Sequence, residues 1–124
     1  MPINSKQKGA RFERTLASKF REYGYDGAHR SAQYCGKTGA AADVVGLPFV
    51  HVEAKAQEQT RLYDWMAQAK ADAAASGGEN LPAVFHKKNN CAILVTMELD
   101  AWMQLYKEFE LNKSEEMENV QKNN

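Results

Sequence analysis

Long apolar runs, net charge, cysteine and proline are all scarce in this 124-residue chain, and each scarcity excludes a class of protein. No stretch approaches the roughly 20 consecutive apolar residues that a bilayer-crossing helix needs. The opening MPINSKQK lacks the apolar region of a secretion signal. Membrane and export readings drop out, and the cytoplasm is the expected location. The two cysteines, Cys35 and Cys91, form no CxxC pair; neither a disulfide scaffold nor a cysteine-based zinc site follows from them. The 3 prolines leave room for long regular elements, and a chain of this size buries roughly two-thirds of its unfolded surface, enough for one core without staples.

Lys plus Arg and Asp plus Glu number 16 each, but their distribution is uneven. Residues 1–40 carry a net charge of +5, residues 41–97 of −1 and residues 98–124 of −4. A basic N-terminal third can face phosphates; on charge alone it reads equally as a solvated helix face balanced by the acidic tail, since a dedicated nucleic-acid binder usually has a clearly basic pI and this one is near 6.8.

Periodicity divides the chain into short elements. KGARFERTLASKFREY, residues 8–23, is an amphipathic helix with Phe12, Leu16, Phe20 and Tyr23 on one stripe, stopped by Gly24, and Glu13 borders that stripe. DGAHRSAQYCGKTGAA follows as an irregular strand and loop. DVVGL and FVHVEAK are strands flanking Pro48; alternation in the second puts Phe49, His51, Glu53 and Lys55 on one face. A helix over 61–75 starts after Thr60 as N-cap and carries Leu62, Trp65, Met66, Ala69 and Ala73 on its stripe. PAVFHK and CAILVTM form a hairpin through Lys88-Asn89-Asn90. A last helix over about 98–110 presents Leu99, Trp102, Met103, Tyr106 and Phe109, an apolar face wide enough to be core, and the acidic tail 111–124 is expected to be disordered. The order is αβββαββα in one domain, residues 1–110.

One polar constellation stands out. Glu53 and Lys55 lie two apart on one strand, hence on one face and about 6.5–7 Å apart. Asp43 opens the preceding strand, which can pair antiparallel with theirs and bring the two carboxylates side by side. They repel unless a cation lies between them. Carboxylates with the backbone carbonyl of Ala54 and several waters suit Mg²⁺, with Mn²⁺ able to substitute. Lys55 beside the metal can position or deprotonate an attacking water and shield charge on a phosphate. His29, His51 and His86 are not spaced as a metal cluster, and His51, although on the Glu53 face, is expected at the surface or a strand end.

An acid on the first helix, an Asp at a strand start, and ExK after nine intervening residues on an apolar strand resemble the PD-(D/E)xK nuclease superfamily. Within it, KGARFERTLASKFREYGY, HRS, DVVG, VEAK, YDWMAQAKADA, PAVFHKK and ILVTMELDAW are similar to Holliday junction resolvases of the archaeal and phage type, small phage-encoded members in particular. The likeness runs from about Lys8 to Phe109; Ala42 stands in place of the Pro of the superfamily pattern, a departure usual among relatives, and the loop 32–42 is not a close match. The resemblance implies a three-layer restriction-endonuclease-like α/β fold with a mixed central sheet flanked by helices. It implies Glu13, Asp43 and Glu53 as metal acids, the Ala54 carbonyl as a further ligand, and Lys55 as the catalytic lysine. Arg30, Ser31 and Gln68 match polar positions near the site. Lys8, Arg11, Arg30, Lys37, Lys87 and Lys88 are candidates for phosphate contacts, which position DNA without reading its sequence.

The leading expectation is a Mg²⁺-dependent endonuclease that resolves four-way DNA junctions as a homodimer, in a bacterial host cytoplasm if phage-encoded. A nicking or restriction-like nuclease on duplex DNA, a non-catalytic recombination accessory protein and a small interaction domain are the competing readings. Retention of Glu13, Asp43, Glu53 and Lys55 together argues against the non-catalytic ones.

Overall fold

The computed structural model describes residues 5–31 and 42–122. The elements run α1 (Ser5–Glu22), β1 (His29–Arg30), β2 (Val44–Val45), β3 (Val50–Ala56), α2 (Leu62–Ala75), β4 (Leu81–Lys87), β5 (Leu94–Thr96) and α3 (Leu99–Lys122). The order is the one read from periodicity.

The sheet has five strands in the order β1-β2-β3-β4-β5. All neighbours are antiparallel except β3 and β4, which run parallel. A parallel pair cannot be joined by a tight turn and needs a crossover; α2 is that crossover. It covers one face of the sheet through Trp65, Met66 and Ala69 against Val84. Helix α1 covers the other face through Phe12, Leu16, Ala17 and Phe20 against Val44, Val52, Ala54 and Phe85. Sandwiched this way, β3 is buried on both faces across His51, Val52, Glu53 and Ala54. That overturns the amphipathic reading of β3, in which only Val50, Val52 and Ala54 were interior.

Local chemistry accounts for the boundaries. Helix α1 ends where Gly24 takes φ +103, with the N–H of Tyr25 returning to the Phe20 carbonyl at 3.0 Å. Helix α2 starts after Arg61, which makes no side-chain cap bond, so Thr60 is not the cap. Between β2 and β3 the chain turns at Gly46–Phe49, and Phe49 has φ +68 and is exposed; the strand therefore begins at Val50. Gly46 has φ +96, and a Cβ there would lie 2.6 Å from the Ala28 Cα and the Gly27 carbonyl oxygen. The β2–β3 turn thus lies directly on the segment that leads into β1.

The last helix differs most from expectation. It has 24 residues and runs on to Lys122, so residues 111–122, expected to be disordered, are helical. Its apolar face is not core either: Leu99, Trp102, Met103, Tyr106 and Phe109 are exposed, and Ala101 is the helix's one buried residue among those described. The Lys70–Glu98 ion pair, 3.1 Å, ties its start to α2. Tyr23, placed on the α1 stripe from spacing, is also exposed, because Gly24 ends the helix before that position meets the sheet.

Gly46→Ala combines a disfavoured backbone with a clash against backbone atoms and is expected to lower stability by about 2 kcal/mol or more. Leu111→Gln on the open part of α3 is expected to change it by less than about 0.5 kcal/mol. Urea unfolding of the two variants checks both.

Candidate active site

Register builds the centre of the site. Val44 pairs with Val52 across the antiparallel β2–β3 ladder, so Asp43 lies opposite Glu53 on the face that α2 covers. The backbone locks the arrangement: the Asp43 N–H donates to the Val52 carbonyl at 2.9 Å, and the Ser31 N–H donates to the Asp43 carbonyl at 3.0 Å. The Asp43 carboxylate accepts the Ala54 N–H through Oδ2 at 2.8 Å. Ser31 therefore acts on this site by fixing the main chain of the aspartate.

Both carboxyls are held above their ordinary range. Burial pushes Glu53 up to about 8, and the Asp43 charge adds to it. Burial also raises Asp43, against the opposing pull of the Ala54 N–H and the Lys55 charge. The two carboxyls act on each other, the contact lowering Asp43 and raising Glu53, so Glu53 is the member that holds a proton more tightly. A buried pair of this kind needs either a shared proton or a cation. An oxygen-rich donor set in which one member binds a proton so tightly fits a hard divalent cation.

The remaining predicted residues surround this pair. Lys55 Nζ lies 3.7 Å from Glu53 Oε2 and donates to Gln68 Oε1 at 3.2 Å, so α2 supplies the group that aims the lysine. Glu13 reaches in from α1; its Oε1 accepts from Arg30 Nε at 2.7 Å. Burial raises the Glu13 pKa, Arg30 opposes that shift, and the Asp43 charge is felt at this position too. Glu13 is thus neighbour to Asp43 with Arg30 as its direct partner.

Glu13, Arg30, Ala54 and Lys55 line a cleft of about 700 Å³ together with Lys8. A second cleft of about 590 Å³ shares Lys8 and Ala56 with it and continues past Arg11, Lys87, Asn89 and Asn90. Lys8 lies 3.8 Å from Glu58, whose other contact is the Asn89 N–H at 2.7 Å. Lys88 is exposed at the turn beside this second cleft. Lys37 and Cys35 lie outside the described residues, and Cys91 is a free, exposed cysteine.

One residue was overlooked in the sequence and another misplaced. Asp72 is four residues after Gln68 on α2, hence on the same helix face, and its charge raises both Asp43 and Glu53. The i, i+4 spacing from Gln68 was the available signal. His51, expected near the surface, is 3% exposed; the covering helix α2 removes it from solvent.

A family model described as "Phage putative PDDEXK endonuclease" matches residues 4–124. No curated protein and no solved structure matches the chain.

The Glu53 shift has a signed consequence for the metal-free protein. A carboxyl whose pKa is raised on folding stabilises the fold below its unfolded value, 4.5, and that contribution is lost as pH climbs through the folded value, about 8. In chelator, the melting temperature of the wild type should therefore fall over about three pH units, from about pH 5 to about pH 8. Glu53→Gln should flatten the fall and melt at least about 3 °C higher at the upper end. Thermal melts across that range check it.

Proposed function

Since the chain belongs to the phage PDDEXK endonuclease family, we propose that it is a Mg²⁺-dependent endonuclease that hydrolyses phosphodiesters in four-way DNA junctions. The observation that carries this reading is the buried Asp43–Glu53 pair with Lys55 fixed beside it, next to a groove lined by cations. Asp43, Glu53 and the Ala54 carbonyl would hold the metal. Bound there, Mg²⁺ neutralises charge that builds on the phosphate oxygens and makes water a stronger acid.

The chain's own groups supply the rest. Lys55, held by Gln68 and by Glu53, donates to a phosphate oxygen and orients the attacking water. Gln68 is a positioning residue, since it acts through the lysine. Arg30 holds Glu13 against the cleft and keeps that carboxyl from drifting toward solvent. Lys8, Arg11 and Lys87 follow the two adjoining clefts and offer phosphate contacts that fix the backbone without reading bases.

Symmetric cutting of a junction calls for two sites, and a two-fold homodimer presents them. The exposed stripe of α3 supports a second copy as its occupant. Trp102, Tyr106, Phe109, Met117 and Val120 fall within about 80° of one another on the helical wheel, and all are at least 43% exposed. Trp102 and Tyr106 stack at 5.1 Å, and Lys113 lies over the Phe109 ring at 5.9 Å. An antiparallel copy reversed about residue 111 sets Trp102 against the smaller Val120 and Phe109 against Lys113, a self-complementary match of large with small and ring with cation. Trp65 and Met66, the large apolar residues of α2, are buried between that helix and the sheet and so are not part of this face.

Cleavage of labelled four-way junction, duplex and single strand, with and without Mg²⁺, tests the reading. Junction should be cut in a metal-dependent way; Asp43→Asn should lower the rate about a hundredfold or more while junction binding in Ca²⁺ persists, and Lys55→Ala about a hundredfold. Full activity of Asp43→Asn would remove the site assignment. A protein that sediments as a monomer with junction bound and nicks duplex equally well would favour the nicking nuclease. Arg11→Ala should reduce the slope of log binding constant against log salt by about one.

A further inference from the structure

His51 and His86 sit on adjacent strands of the same sheet, and only one of them is satisfied. His86 Nε2 bonds the Thr96 hydroxyl at 2.8 Å and its ring packs on Trp65. His51 is 3% exposed, and its Nε2 is buried with no hydrogen-bond partner. An orphaned ring nitrogen in that position is destabilising unless something occupies it.

Its surroundings indicate what that is. Glu53 is two residues further along β3 on the same face, and Asp72 reaches over from α2. One donor atom from each of His51, Glu53 and Asp72 lies within 4.8 Å of the other two. Donors around a cation at about 2.1 Å stand roughly 3–4 Å apart, so a small side-chain adjustment closes the set. A cleft of about 290 Å³ lined by His51, Ala73, Gly77 and Glu79 offers a route to the ring from the C-terminal end of α2.

We propose that His51, Glu53 and Asp72 form a second metal site, selective for a borderline transition-metal cation such as Zn²⁺ or Co²⁺. One imidazole with two carboxylates favours that class over Mg²⁺, which takes oxygen ligands and keeps its waters. Glu53 is the shared ligand between this site and the Asp43 position, and the second cation compensates the third carboxylate of the cluster, which Mg²⁺ at Asp43 and Glu53 leaves unpaired. The site stands on its own geometry and holds whether or not the chain cuts junctions.

Titration with Co²⁺, read by its visible d–d absorption, and competition by Zn²⁺ test the proposal without DNA. The wild type and Asp43→Asn should each bind Co²⁺ with that absorption, and His51→Gln and Asp72→Asn should each bind at least about tenfold more weakly. Zn²⁺ should raise the melting temperature of the wild type and of Asp43→Asn but of neither cluster variant. Asp72 is only half-buried, so its variant keeps the test valid if His51→Gln does not fold, as circular dichroism will report. Wild-type Co²⁺ affinity in both cluster variants, loss of all Co²⁺ binding in Asp43→Asn, or no Co²⁺ binding by the wild type would each overturn it. Failure here leaves the nuclease reading standing; that reading fails instead if Asp43→Asn still cuts.

Discussion

Two carboxyl groups side by side on neighbouring strands, beneath a helix, are the arrangement on which the rest of this structure depends. Asp43 and Glu53 are opposite each other because Val44 pairs with Val52, and burial with mutual repulsion lifts Glu53 to about 8. Left ionised and unpaired, such a pair would oppose folding. Everything adjacent either holds the two groups in place or lowers that opposition. The Ala54 N–H binds one carboxylate, Lys55 approaches the other, and Glu53 holds its proton well above the ordinary carboxylate range.

Distant parts of the fold serve the same end. Gly46 lets the β2–β3 turn rest on the segment before β1, which brings Ser31 to the Asp43 carbonyl and Arg30 to Glu13. Helix α2 closes the parallel β3–β4 crossover and in doing so delivers Gln68 to Lys55 and Asp72 to the cluster. Helix α1 seals the opposite face and turns Glu13 and the Lys8–Arg11 edge toward the clefts. The charged centre is therefore a product of three layers, none of which builds it alone.

How much of this was legible in the chain depended on how local the signal was. The stripes at Phe12, Leu16 and Phe20 and at Trp65, Met66, Ala69 and Ala73 depend on helical spacing, and both match the buried faces. The antiparallel placement of Asp43 beside Glu53 followed from a short turn at Pro48 and holds. What failed needed tertiary knowledge. Alternation in β3 marks one face as polar, yet α2 covers it, so His51 is interior. Leu99, Trp102, Tyr106 and Phe109 have the spacing of a core face, and spacing alone carries no information on whether another surface of the same chain is there to meet them. Residues 111–122 have little to bury, and they are helical as the exposed continuation of α3.

The account's central claim is that the buried Asp43–Glu53 pair is a cation site whose proton yields to metal. Proton release on adding Mg²⁺ to the chelator-treated protein at neutral pH, measured in a pH-stat, tests it most directly. The account predicts release of about one proton per chain as Mg²⁺ replaces the proton on Glu53, and no release from Glu53→Gln. Absence of release from the wild type, or equal release from both proteins, would contradict it.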